Sequence, residues 1–143
     1  MLFLFDMKDH WKISGKIIRG AKQGAYFTQL DWVQKQCQQK LGFRPYPGTL
    51  NLEIATENIA KLDTVMARDG IELVSPDSNF CSGLVIPVTI EGIAGAIVAP
   101  ATDVRVHAKN IIEIISPLGL KDGLEVADGD RVSLTIAGRL EPK

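Results

Sequence analysis

The sequence predicts a mainly β domain: a compact β-barrel of six strands carrying one or two helices. Three observations lead there. Six short segments rich in Ile, Val and Leu have strand length, and several alternate apolar with polar residues. One segment alone carries a firm helical period. The second half of the chain has no room for the crossover helices that a doubly wound parallel sheet needs between its strands. Six strands with so little helix must close on themselves or be covered.

Residues 1–11 read as an N-terminal extension, 12–138 as the barrel and 139–143 as a C-terminal tail. Trp11–Ile18 is the first strand, with Ile13 and Ile17 on one face and Gly15 between them. A glycine-punctuated stretch, Gly20 to Tyr26, follows. The helix comes next: Asp31 suits its N-cap, Val33, Cys37 and Leu41 recur every four residues, and Gly42 suits the C-terminal cap. Pro45-Tyr46-Pro47-Gly48 forms a rigid turn that opens onto the strand Thr49–Ile54. Thr56–Met66 is a shorter helix, with Ile59, Leu62 and Met66 in register. The remaining strands are Leu84–Ile90, where Pro87 marks an edge or bulge, Ile93–Ala99, Ile111–Ile115 and Arg131–Ile136.

Composition narrows the function. The 143 residues are 45% hydrophobic and 23% charged, which excludes a disordered or coiled-coil chain. A net charge of −1 gives none of the positive field that non-specific nucleic-acid binders use. Cys37 and Cys81 form neither a CxxC pair nor a disulfide framework, and His10 and His107 are too few for a common zinc site. The apolar run Met1–Phe5 stops at Asp6, short of a signal-peptide core, and no segment reaches the roughly 20 apolar residues of a membrane span. The expectation is a reduced, cytoplasmic protein, a monomer or small homo-oligomer, with no nucleic acid and no membrane as partner.

Three segments could carry chemistry. Alternation puts Leu50, Leu52 and Ile54 on the core face and Thr49, Asn51 and Glu53 on the other. Thr49 and Asn51 stand roughly 6.6–7 Å apart at Cα, so their side-chain oxygens can converge on one hard cation such as Mg²⁺. An ordinary solvated strand face has the same pattern. The Gly20–Tyr26 loop could wrap a nucleotide phosphate, with Lys22 adding charge, or be a plain hairpin or bulge. Glu113 stands in the apolar strand Ile111–Ile115, where a buried carboxylate needs a partner. It could meet a ligand hydroxyl or a structural ion pair, and His107 could share its pocket. Asp128-Gly129-Asp130 reads as a tight hairpin turn. Trp32 and Tyr46 could stack on a flat ligand, or simply pack.

Leu41-Gly42-Phe43-Arg44-Pro45-Tyr46-Pro47-Gly48-Thr49-Leu50-Asn51-Leu52 closely resembles the LGFxPYPGTLNL signature of the archaeal-type CTP-dependent riboflavin kinases. The resemblance runs over roughly residues 13–136 in the right order. It takes in the Gly20–Tyr26 loop, Gly95–Pro100, the IEIIAP-like Ile112–Pro117 and Leu124–Val132. It implies a cradle-loop barrel that transfers the γ-phosphoryl group of CTP to the ribityl 5′-hydroxyl of riboflavin, giving FMN and CDP. Thr49 and Asn51 would bind Mg²⁺. Gly20, Ala21, Lys22, Gln23, Gly24 and Ala25, with Leu118, Gly119, Leu120 and Lys121, would bind the nucleotide. Glu113 would be catalytic and contact the flavin, with Arg105 or Thr102 beside it.

The chain departs from the family pattern in places. Lys22 replaces the loop's middle glycine, and Ala25 stands where Arg is frequent. Arg105 aligns with a flavin-contacting Thr, a role Thr102 could fill instead, and Gly119 and Lys121 replace Lys and Arg. Lys121 keeps the charge without the bidentate fork. The departures leave two readings, a kinase with altered nucleotide preference and a non-catalytic flavin- or nucleotide-binding protein. A barrel-type DNA-binding regulator is disfavoured by the charge and by the lack of a helix-turn-helix segment in this sequence.

Overall fold

Branched apolar residues, alternating with polar ones in β1, β2 and β7 and apolar on both faces in β6, build strands β1 (His10–Ile18), β2 (Leu50–Ile54), β4 (Gly83–Ile90), β5 (Ile93–Pro100), β6 (Ile111–Ile115) and β7 (Arg131–Ala137). A three-residue strand, β3 (Ile71–Leu73), makes seven. The structure is a computed structural model describing residues 10–19, 27–68, 70–76, 83–100 and 110–137. The described residues also form helices α1 (Asp31–Leu41), α2 (Ile59–Arg68) and the short α3 (Leu120–Leu124), with a 3-10 turn at Thr56–Asn58 leading into α2. No described helix is long and apolar enough to cross a membrane.

All pairings are antiparallel, in the order β3-β4-β5-β6-β2-β1-β7. A further pairing of β4 with β7, Thr89 opposite Thr135 and Ile90 opposite Leu134, closes six of the strands into a barrel. The expected six-stranded barrel is thus the one observed. Closure is reinforced by the two-residue β4–β5 turn, where Glu91 (φ 48°) and Gly92 (φ 87°) are both left-handed, as hairpin twist favours. Glu91 offsets that strained conformation by holding β7: its N–H donates to the Ser133 carbonyl (3.1 Å), and its carboxylate accepts from the Ser133 N–H (2.8 Å).

Two apolar clusters result. The barrel interior holds Ile13, Ile17, Leu52, Ile86, Ile114 and Leu134 among others, with Leu62 of α2 packed into it. The second lies between α1 and the outer face of the wall: Val33 and Cys37 meet Leu73, Val85, Ala96 and Ile115. Burying each such Leu, Ile or Val contributes about 1.5–3 kcal/mol. β6 serves both clusters, sending Ile112 and Ile114 inward and Ile115 outward to α1. Trp32 packs edge-on against Phe27, centroids 6.1 Å apart, which answers its role with packing.

Several local expectations need correction. Asp31 is not the N-cap of α1. Leu30 occupies that position with ψ 139°, and its carbonyl accepts from the Val33 and Gln34 N–H groups. Asp31 instead lies in the first turn, where a carboxylate suits the helix dipole, 3.5 Å from Lys35. Gly42 does end the helix, at φ 86°. The Asp128-Gly129 segment is a tight turn, with Asp130 N–H donating to the Ala127 carbonyl, but it joins α3 to β7 rather than two strands. β3 and α3 were unforeseen. β3 is held by the Gln36 amide, which donates to and accepts from the Val74 backbone, and by Lys40, which donates to the Glu72 carbonyl. The extension's residues 1–9 and the tail lie outside the described residues.

Two outcomes test this architecture. A Cβ at Gly95 would stand 2.7 Å from the backbone oxygen of Ile115, so β5 and β6 could keep their spacing only with glycine there. Gly95→Ala is expected to cost about 1–3 kcal/mol in urea denaturation; an unchanged midpoint would contradict the close approach. Burial pushes the Cys37 thiol up to about 11, with Lys40 opposing weakly. At pH 8 about one molecule in a thousand then carries the thiolate. Peptide mapping after iodoacetamide treatment should find Cys37 unmodified until the protein unfolds, and rapid labelling of the native protein would show the helix–sheet layer to be open.

Candidate active site

The Pro-Gly turn before β2 is fixed by backbone bonds on three sides. Gln34 of α1 donates to the Thr28 carbonyl (2.6 Å) and the Pro45 carbonyl (2.9 Å). The fully buried Thr28 accepts the Gly48 N–H on its hydroxyl (2.9 Å). Tyr46 N–H donates to the Ser116 carbonyl at the end of β6 (2.8 Å). Gly48 completes the turn at φ 111°, a conformation that favours glycine. The start of β2 is therefore set relative to both α1 and β6.

That placement decides what the outer face of β2 presents. Asn51 lies directly opposite Glu113 in the β2–β6 ladder. The Thr49 hydroxyl donates to Glu113 Oε1 across the same pair of strands (2.9 Å). Asn51 is 5% exposed, and its Oδ1 is buried with no hydrogen-bond partner. Leaving such an oxygen unpaired costs about 1–3 kcal/mol, so it calls for a partner from outside the chain, whether water, an ion or a ligand group. Two neutral hard oxygens, one from a hydroxyl and one from an amide, suit a cation that keeps most of its own water. No group of three His, Cys, Asp or Glu side chains that could hold a metal ion occurs among the described residues.

A cleft of about 320 Å³ opens at Thr49, which, unlike Asn51 and Glu113, lines it. One wall is the turn, from Tyr46 to Thr49; the other is Leu118 to Asp122. Leu120 is buried in the barrel core and anchors that second wall. Gly119 lies under Tyr46, where an added Cβ would come within 3.2 Å of the ring. The Lys121 ammonium pairs with the Asp128 carboxylate at 2.6 Å. That hydrogen bond, with added attraction from Lys121 and Arg19, holds Asp128 below its ordinary carboxyl range. Tyr46 is half-exposed at the rim, free to meet a flat group.

The structure thus brings Thr49, Asn51 and Glu113 together on one face, and Thr49 together with Leu118, Gly119, Leu120 and Lys121 around one cleft, which Asn51 and Glu113 do not line. Gly20, Ala21, Lys22, Gln23, Gly24 and Ala25 lie outside the described residues, as do Thr102, Arg105 and His107. Sequence reasoning missed Thr28, Gln34 and Ser116, which touch the turn without belonging to its motif. It also missed the partner of Lys121, since nothing local links positions 121 and 128. A second cleft, of about 380 Å³, lies at the other end of β2 among Lys16, Glu53, Glu57 and Arg131. Its charges are of both signs, and Lys16 stands 3.8 Å from Glu53.

Comparison with known proteins shows the family. The family model CTP-dep_RFKase, described as a domain of unknown function, DUF120, matches residues 17–136. The riboflavin kinase of Archaeoglobus fulgidus is 37% identical over 137 residues, covering 93% of this chain and 58% of that protein. That of Methanococcoides burtonii is 33% identical over 139 residues, covering 92% and 60%. That of Ignicoccus hospitalis is 33% identical over 127 residues, covering 87% and 70%. The chain therefore spans about three fifths of the length of the first two relatives. Since the match runs from β1 through the turn, the Thr49–Asn51 strand and Glu113 to the last core residue of β7, the chain belongs to the CTP-dep_RFKase family.

Proposed function

We propose that this chain is a riboflavin kinase domain, transferring the γ-phosphoryl group of CTP to the ribityl 5′-hydroxyl of riboflavin to give FMN and CDP. The observation that carries the reading is the outer face of β2 and β6: an unpartnered buried Asn51 Oδ1 beside a Thr49 hydroxyl bonded to Glu113. Thr49 and Asn51 would hold Mg²⁺. The ion, when bound, supplies positive charge to the phosphate oxygens.

The chain's own groups supply positioning, which is most of what phosphoryl transfer asks of a protein. Lys121 places a cation on the cleft wall opposite Thr49, within the segment that would hold the nucleotide. Asp128 holds that ammonium in one place when the cleft is empty. The Glu113 carboxylate has two oxygens and about four lone-pair sites. Beside its bond to Thr49, Glu113 would accept the riboflavin hydroxyl and orient its oxygen toward phosphorus. As the new O–P bond forms, the bond from the γ-phosphorus to the bridging oxygen breaks, CDP leaves, and the hydroxyl proton passes to the carboxylate or to water. The half-exposed Tyr46 ring at the rim offers a face to a base or flavin ring.

The second reading, a flavin- or nucleotide-binding protein without turnover, is favoured by Gly119 and by the commitment of Lys121 to Asp128. One assay separates the two. Riboflavin and Mg²⁺ are incubated with CTP, ATP, GTP or UTP, and FMN is followed by chromatography. FMN with CTP is expected. FMN with another nucleotide would overturn the donor assignment, and none with any, from a protein that binds riboflavin, would establish the second reading.

The cation face makes a separate prediction. Asn51→Leu replaces an unpartnered buried amide with an apolar group of similar size. It should leave the cation-free protein as stable or more stable, by up to about 1–3 kcal/mol, while turnover falls on the order of 10²-fold or more. Thr49→Ala should lose turnover similarly. Wild-type rates from both variants would remove the cation from this face.

A further inference from the structure

The Thr49–Glu113 hydrogen bond bears on the cation as well as on the acceptor substrate. A hydroxyl has one hydrogen and two lone pairs. A cation can use only the lone pairs, so the hydrogen must be directed elsewhere. Glu113 Oε1 accepts it at 2.9 Å. The ladder that makes this bond also sets Asn51, with its unpartnered Oδ1, directly opposite Glu113. The three groups therefore share one face and one register.

We propose that Glu113 is a positioning residue of the cation site, acting through Thr49. It commits the Thr49 hydroxyl hydrogen to itself, so that Oγ1 offers lone pairs alongside Asn51 Oδ1. Its negative charge also polarises that O–H bond, which makes Oγ1 a stronger donor to a divalent cation. Groups of this kind, one bond removed from the ion, typically change metal affinity by 10–100-fold when replaced. The inference rests on the cation reading given above and adds to it a role for Glu113 that is independent of riboflavin.

The test needs neither substrate nor turnover. The ¹⁵N-labelled full chain is titrated with Mn²⁺ alone, and paramagnetic broadening of the amide signals of Thr49, Asn51 and Glu113 is followed to its midpoint. This readout reaches weak binding and is specific to the site. Glu113→Ala should raise the midpoint about 10-fold or more. Glu113→Gln keeps an acceptor for the Thr49 hydroxyl and loses the charge, so it should fall between Ala and wild type. Because Glu113 acts through the hydroxyl, adding Glu113→Gln to Thr49→Val should cost much less than it does alone. Unperturbed amide shifts in β4 and β7 report that each variant is folded, and the near-isosteric Gln variant serves if Ala does not fold.

The outcomes separate the inference from the reading beneath it. If wild type shows no localised broadening, or Thr49→Val and Asn51→Leu titrate like wild type, the cation does not bind here and both fall. If those two variants weaken binding while Glu113→Gln does not, the cation site stands and the proposal is overturned. A Glu113→Gln effect of equal size in the Thr49→Val background also overturns it, since Glu113 would then act directly on the ion.

Discussion

The register between β2 and β6 is the constraint on which the rest depends. Leu50 and Leu52 pair with Ile114 and Ile112, all four facing the barrel interior, so Asn51 must meet Glu113 outside. A one-residue slip of β2 would turn Leu50, Leu52 and Ile54 outward and bury Asn51 and Glu53 in their place. Hydrophobic burial in the barrel therefore enforces the polar juxtaposition on its surface. The turn bonds to Thr28, Gln34 and Ser116 secure the same register from the other end.

The oxygens proposed to meet a cation on that face are neutral, and the Glu113 carboxylate reaches Thr49 through its hydroxyl. Neutral donors bind a bare ion weakly, so occupancy would depend on what else enters the cleft, above all on phosphate oxygens. The Lys121–Asp128 pair, half-exposed and solvent-screened, contributes little stability, and its ammonium can exchange one anionic partner for another at small cost.

Most of the barrel was legible in the sequence because its information is local and repeats every two residues. The strands containing Leu50-x-Leu52-x-Ile54 and Val132-x-Leu134-x-Ile136 declare their inward faces outright. The elements that escaped lack such repetition. β3 is shorter than two alternations and owes its place to the side chains of Gln36 and Lys40, more than thirty residues earlier in the chain. α3 is a five-residue helix that includes a glycine. Asp31 obeys a local capping preference, yet the chain enters α1 one residue earlier, held through the Leu30 carbonyl. At the site, the motif residues could be read from their pattern. The bond between Thr49 and Glu113 could not, because it joins positions 64 apart.

Pro87 has a consequence that reaches beyond the single molecule. The edge of β4 facing away from β5 is shared: residues 83–85 pair with β3 and residues 89–90 with β7. Pro87 falls in the interval between them, where the backbone has no N–H to offer. Where the sheet order ends, the outer side of β3 is occupied by Gln36 and Lys40 bonding the carbonyls of Glu72 and Val74 and the N–H of Val74. A strand from a second copy would find few free backbone groups at either place. The devices that seal the barrel locally thus also discourage edge-to-edge aggregation between neighbouring copies, which matters most at high protein concentration.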